Sequence, residues 1–275
     1  MRIHALFIGL LAAASPLAAQ SADSARTSSD PVIQDNSFLV EEAYNQEAGV
    51  VQHISAFQMA RGTSGFDYSF TQEWPVQSIR HQLSYTVPVS RAGSQTAVGD
   101  LAVNYRYQLL GDGNAQLAIS PRLSVLLPTG DWKKARGSGA AGLQAAIPLS
   151  YAVSPIVATH FDVGGTVTPS ARNPAGDKAG IMDWFVAGSA ILTASNRIQP
   201  MLEMIYVRGQ EVIGDDQTAR SESFLISPGI RAAFNSTSGL QIVPGIAFPI
   251  GVGPTSGERN VFFYLSFEHA FTKSR

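Results

Sequence analysis

The sequence predicts an all-β fold: a closed antiparallel transmembrane β-barrel of about twelve strands, with a short N-terminal lead-in. Three observations predict it. Apolar and polar residues alternate singly through most of the chain, as in "GFDYSFTQEW", where Phe66, Tyr68, Phe70 and Trp74 interleave with Asp67, Ser69, Thr71 and Glu73. Strand side chains point alternately to opposite faces, so such a segment has an apolar surrounding on one side and a wet one on the other. The connections sort by parity into short and long, and aromatic rings gather near the segment ends. A barrel in lipid has both properties, whereas a soluble sandwich has no reason to sort its loops.

Residues 1–19 read as a secretory signal peptide, with Arg2 and His4 before an apolar run from Ala5 to Ala14 and small residues at Ala18 and Ala19. Cleavage after Ala19 would leave Leu17 where a small residue is usual. Residues 20–48 form a polar, flexible lead-in or a plug. Within it, "SFLVEEAYNQEAG" suggests a short helix capped by Ser37, with Glu41 and Glu42 near its first turn and Gly49 ending it. That piece either enters the barrel mouth or lies outside in the periplasm.

Residues 49–275 are the outer-membrane barrel. Strand-like segments fall at roughly 49–60, 65–75, 79–90, 97–110, 115–128, 140–153, 156–169, 181–194, 197–208, 221–235, 238–251 and 259–272. After even-numbered segments the connections are short: "PVQS", "GDGN", "SP", "ASN" and "NSTS". After odd-numbered ones several are long and polar: "SRAGSQT", "PTGDWKKARGSGA", "TPSARNPAGDKAG", "RGQEVIGDDQTARS" and "GVGPTSGE". Trp74, Tyr107, Tyr151, Phe234 and Phe271 mark one rim of an aromatic girdle, and Phe66, Trp184, Tyr206 and Phe224 the other. Pro88, Pro121, Pro148, Pro200, Pro228, Pro244 and Pro249 fall inside proposed strands, where each removes a ladder hydrogen bond; bulges or shifted strand ends are expected there.

Composition excludes several function classes. There is no Cys in the 275 residues, hence no disulfide, thiolate metal site or thiol nucleophile. A net charge of −2 gives no footprint for nucleic acid. After the signal no apolar run approaches the roughly 18 residues of a spanning helix, although 45% of residues are hydrophobic.

Four stretches, "FLVEEAYNQEAGVVQHI" (38–54), "FTQEWPVQSIRHQLSYTVPV" (70–89), "GDLAVNYRYQL" (99–109) and "PRLSVLLPTGD" (121–131), make the chain resemble a family of bacterial outer-membrane barrels labelled "MetA-pathway of phenol degradation". The resemblance implies passage of small aromatic or apolar compounds across the outer membrane. It brings no catalytic or ligand residue with it.

Alternation places Asp67, Glu73, Arg80, Asp100, Arg106, Arg122, His160, Asp162, Glu203, Arg231 and Glu268 on inward positions. These charges either line a pore or neutralise one another and fill a small barrel, and the second reading is favoured. Small or apolar residues, Ala102, Ala146, Met201, Ile205, Ala233, Val243 and Ala247, share the inward parity. An enzyme reading rests on His81, outward beside Arg80 and Gln82, with a cross-strand Ser as in a lipid hydrolase; no local signature supports it. His160 and Asp162 are two potential metal ligands, too few for a site, and "GSGAAG" (137–142) reads as a flexible loop. Lys133, Lys134 and Arg136 beside Trp132 suit contact with lipopolysaccharide or plain solvent. The expected protein is a monomer with no cofactor. Its partners are outer-membrane lipids, the barrel-assembly machinery and a small-molecule solute.

Overall fold

The computed structural model describes residues 37–195, 197–237 and 239–271. The expected signal peptide (1–19) and residues 20–36 of the lead-in lie outside them. Sixteen strands form one sheet. They are β1 (Val50–Ala60), β2 (Phe66–Val76), β3 (Ser78–Ala92), β4 (Gln95–Val98), β5 (Leu101–Tyr107), β6 (Leu117–Ile119), β7 (Arg122–Leu127), β8 (Gly142–Ser154), β9 (Val157–Arg172), β10 (Lys178–Leu192), β11 (Ile198–Gly214), β12 (Gln217–Ala232), β13 (Phe234–Asn235), β14 (Gln241–Ala247), β15 (Ile250–Gly251) and β16 (Asn260–Ala270). All pairings are antiparallel, and β1 pairs with both β2 and β16 while β14 joins β16 to β12, which closes the sheet. Four staves are interrupted: β4 with β5, β6 with β7, β12 with β13, and β14 with β15. The sixteen strands therefore make twelve staves. Closure is what lipid demands, because hydrocarbon offers no partner to an unpaired peptide group.

Five of the seven prolines named above sit in, or face, matched breaks rather than bulges. Pro121 separates β6 from β7 and Pro249 separates β14 from β15. Beside those gaps the carbonyls of Pro148 and Pro228 accept the N–H groups of Ser120 (3.1 Å) and Phe248 (2.9 Å), and the Pro88 carbonyl accepts that of Gly99 (2.8 Å) between β4 and β5. A proline still offers a carbonyl but no N–H, so its neighbour's ladder lapses at the same level. Pro200 and Pro244 stay in register opposite Ile230 and Leu265. Register shifts lie elsewhere, at Pro75/Val76, Ala152/Ser154, Ala179/Ile181 and Val212/Gly214.

Three of the expected long loops are mostly strand. "SRAGSQT" is a hairpin turning at Gly93–Ser94, "TPSARNPAGDKAG" keeps only 173–177 outside β9 and β10, and "RGQEVIGDDQTARS" turns tightly at Asp215–Asp216. Above the lipid a ladder continues with polar residues on both faces, so hydropathy no longer reports it. The loop 128–141 does stay long, but it is pinned rather than loose. The Asp100 carboxylate accepts the N–H groups of Gly130 (2.9 Å) and Ser138 (2.7 Å) and the Ser138 hydroxyl (2.6 Å).

Burial in the wall is the reverse of a soluble protein's. Leu143 (57% exposed), Leu123 (53%) and Phe161 (46%) face out, while Glu203, Gln199, Ser124, Ser227 and Ser266 are wholly buried within the bore. Such an exterior is stable only against an apolar solvent. Among the described residues no helix is long and apolar enough to cross a membrane; the strands do the crossing. Phe66, Tyr68, Phe70 and Trp74 occupy the outer face of β2, and Ser69, Thr71 and Glu73 the inner.

Candidate lumenal site

The site is built around residues 37–46, which form a strap inside the barrel. The expected helix is absent, because the wall takes the N–H groups that a helix would use internally. Glu203 Oε1 accepts from Leu39 (2.8 Å) and Val40 (3.3 Å), Ser150 Oγ from Ala43 (2.7 Å), Gln108 Oε1 from Asn45 (2.9 Å) and Gln82 Oε1 from Gln46 (2.7 Å). The carbonyls are claimed too: Arg106 donates to Glu42 (3.3 Å) and Tyr44 (2.6 Å), and Gln108 to Ala43 (2.7 Å). A buried backbone must be satisfied somewhere, and here the partners come from the staves β3, β8 and β11, the inner end of β5 and the Gln108 just past it.

Side chains complete the docking. Glu42 Oε1 lies 2.9 Å from Arg231 Nη1 and 3.8 Å from His160 Nε2, with all three side chains almost fully buried. Glu41 pairs with Arg122 at 2.9 Å in a wetter setting, Arg106 Nε donates to Asn45 (2.8 Å), and Arg106 also lies 3.7 Å from Glu73. Gln82 bridges Glu73 (2.7 Å) to the strap. The Phe38 ring stacks on Phe262 (5.6 Å between centroids) and meets Tyr264 at a tilt (5.1 Å), over Gly229 and Gly245. A Cβ on Gly245 would collide with that ring. Gly245→Ala should therefore eject Phe38 and expose the strap to added protease, whereas Gly245→Ala combined with Phe38→Ala restores the protection in part. Unchanged protection in the single variant would refute the fit.

The inward residues read from the sequence divide by height. Glu73, Arg106, His160, Asp162, Glu203 and Arg231 are buried, Arg122 is half-buried, and Glu268 lies 3.5 Å from Gln46. Asp67 and Arg80 stand exposed at opposite ends and border the mouths rather than the bore. Gln52, Gln82, Gln108, Gln199 and Ser150 were not singled out as site residues by sequence, and their signal is an uncharged polar residue at an inward position; Asn45, on the strap, carries no such signal. Above the strap opens a vestibule of about 440 Å³, whose floor includes Phe38, Leu39 and Glu41 and whose walls include Ala102, Asn104, Arg122 and Tyr264. A side pocket of about 290 Å³ shares Leu39, Glu41, Arg122 and Gln144 with it and adds Asp162, Phe185, Ile205 and Val207.

Two chemical readings can be weighed on this geometry. His81 Nδ1 meets the Tyr105 hydroxyl at 2.6 Å, not a serine. Ser150 Oγ meets His160 Nδ1 at 2.7 Å with Glu42 beyond, an arrangement reminiscent of nucleophile, base and acid. It sits beneath Ala43 and Tyr44, bordering neither the vestibule nor its side pocket. Burial and the nearby Glu42 charge push the Tyr44 hydroxyl up to about 12. Among the described residues no group of three potential ligands could hold a metal. On the outside Tyr151, Trp184, Phe234 and Phe271 are exposed, while Trp74, Tyr107 and Tyr206 are partly covered by neighbouring rings and strands. Trp74, Tyr107, Tyr151, Phe234 and Phe271 lie at the short-turn end of the wall.

No family model matches the chain, and no curated protein does. Solved structures do share its fold. The COG4313 outer membrane channel from Pseudomonas putida F1 superposes with a TM-score of 0.61 at 12% identity, covering 83% of this chain and 98% of that one. The KdgM porin gives 0.50 at 10% identity over 80% and 99%, and the NanC porin 0.50 at 9% over 81% and 100%. The chain thus shares the fold of outer-membrane β-barrels.

Proposed function

We propose that the protein resides in the bacterial outer membrane and admits small molecules, apolar or aromatic ones included, without performing chemistry on them. The observation that carries this reading is the vestibule: a cavity of about 440 Å³ in which Phe38, Leu39, Ile54 and Tyr264 share the lining with Thr71, Thr86, Asn104 and Gln144 and with the charged Glu41, Glu73, Asp100 and Arg122. A cavity of that size can hold a drug-sized solute, its apolar part against Phe38, Leu39, Ile54 and Tyr264 and its polar part turned to the hydroxyl, amide and charged groups opposite. The stretches that resemble the phenol-degradation family support the same solute class, and the shared fold with a COG4313 outer membrane channel supports the channel role. Passage beyond the vestibule then requires the strap to shift, since Leu39 and Glu41 form part of its floor.

The strap's many hydrogen bonds favour one competing reading, a filled barrel with a structural role only. Liposome swelling separates the two. Proteoliposomes of the mature protein should admit small aromatic alcohols faster than sugars of similar mass. No swelling with either solute supports the structural barrel, and faster entry of the sugars would reverse the proposed solute class.

A further inference from the structure

The outer wall of β10, β11 and β12 changes character along the strands. Across these three staves the rung Val186, Tyr206 and Phe224 is apolar and aromatic, and toward the lipid centre it is followed by exposed Met204 and Leu202. The next rung toward the long-loop end is Trp184, Arg208 and Glu222, and beyond it Gln210 faces Arg220. Their shared parity with Tyr206 turns these side chains outward. They enclose a cavity of about 240 Å³ on the exterior, bordered by Met182, Trp184, Arg208, Gln210 and Arg220.

From this geometry we infer a binding site for a phosphorylated lipid of the outer leaflet, of the lipid A type, with its phosphate between Arg208 and Arg220. On the outward face two guanidinium groups stand against one carboxylate, since Asp183 borders the lumenal pocket and accepts the Gln210 N–H (2.8 Å), and the Arg208–Glu222 ion pair is long at 3.7 Å and half-exposed. Guanidinium groups present forked donors that match phosphate oxygens. Trp184 and Tyr206, with ring centroids 5.4 Å apart, form the amphipathic shelf expected where headgroup meets acyl chain. The apolar rungs below give the acyl chains a wall to lie on. A partner that is anionic above and greasy below is what this vertical order complements. The site is placed here and not at the basic loop, where Trp132 is already flanked by Lys133 (5.6 Å) and Arg172 (5.4 Å) and Lys134 is paired with Asp131 (2.7 Å).

Native mass spectrometry of the full mature barrel, with added hexa-acylated lipid A, its dephosphorylated form or inorganic pyrophosphate, tests the site. Wild type should retain the phosphorylated lipid. Arg208→Ala combined with Arg220→Ala should retain it at least tenfold more weakly while keeping the heat-modifiable gel mobility of a folded barrel, and the double Lys variant should fall between. Equal retention by wild type and the Ala variant overturns the proposal, as does retention by wild type that ignores the phosphates. Strong binding of pyrophosphate alone would also overturn it, since a free phosphate would then be the ligand.

Discussion

Excising residues 37–46, so that Glu47 leads directly into β1, should raise liposome swelling by sugars on the order of tenfold while the barrel stays folded. The physical ground is the circumference of the wall. An eight-stranded barrel is just wide enough for its own side chains to fill, and diameter grows with strand number. Twelve staves enclose more space than inward side chains occupy, and the strap takes up part of the difference, with Ser37, Phe38, Val40, Glu42, Ala43, Asn45 and Gln46 all buried. Its removal leaves Arg106, Arg122 and Arg231 facing water that can enter the bore, so their loss of Tyr44, Glu41 and Glu42 is softened by hydration. The wall should tolerate this, because its ladder is closed by β1 with β16 and does not run through the strap. Heat-modifiable gel migration monitors the fold. A folded, strapless barrel that swells no faster than wild type would show that something other than residues 37–46 closes the lumen.

Much of this fold was legible because a wall in lipid has only two faces to satisfy. Period-two alternation located the twelve staves, and the aromatic positions at their ends followed from the same parity. Where both faces are wet the signal fades, which is why the outer halves of β11 and β12, from Gly209 to Ser221, read as a loop. Prolines announced trouble but not its form. A break at Pro121 becomes tolerable only because Pro148 lies on the next stave, a match between distant positions that no local pattern contains.

The strap was the least legible part. "SFLVEEAYNQ" has respectable helix formers and a capping Ser37, and in isolation its N–H groups would bond within the segment. Inside the barrel Glu203, Ser150, Gln108 and Gln82 outcompete that helix, and all four belong to strands or strand ends far away in sequence. The charges behaved more predictably. Arginines on inward positions needed acids, and opposite-sign pairing in a confined lumen was the expected outcome; the sequence left open that two of those acids, Glu41 and Glu42, come from the strap rather than the wall.

That division of labour ranks the two strap carboxylates, and Glu42→Ala should be far more damaging to strap docking than Glu41→Ala. Glu42 and Arg231 are 4% and 2% exposed and 2.9 Å apart. Removing Glu42 takes from Arg231 a close carboxylate partner in a poorly solvated place, which costs up to roughly 3–5 kcal/mol. Each 1.4 kcal/mol is about a factor of ten, so docking should weaken by up to roughly two to three and a half orders of magnitude. Arg122 and Glu41 are 13% and 32% exposed and border the vestibule, where water screens them; their pair should contribute no more than about 1 kcal/mol. The loss for Glu42→Ala falls on docking and not on the wall, because Arg231 keeps its 2.9 Å bond to Gln199 and the β11–β12 ladder is unaffected. Protease cleavage within residues 37–46, with the barrel's gel mobility measured in parallel, reads the two effects separately. Equal cleavage of the two variants would remove the Glu42–Arg231 pair from its assigned role, whereas a collapse in heat-modifiable mobility would mean that the strap and the wall fold as one unit.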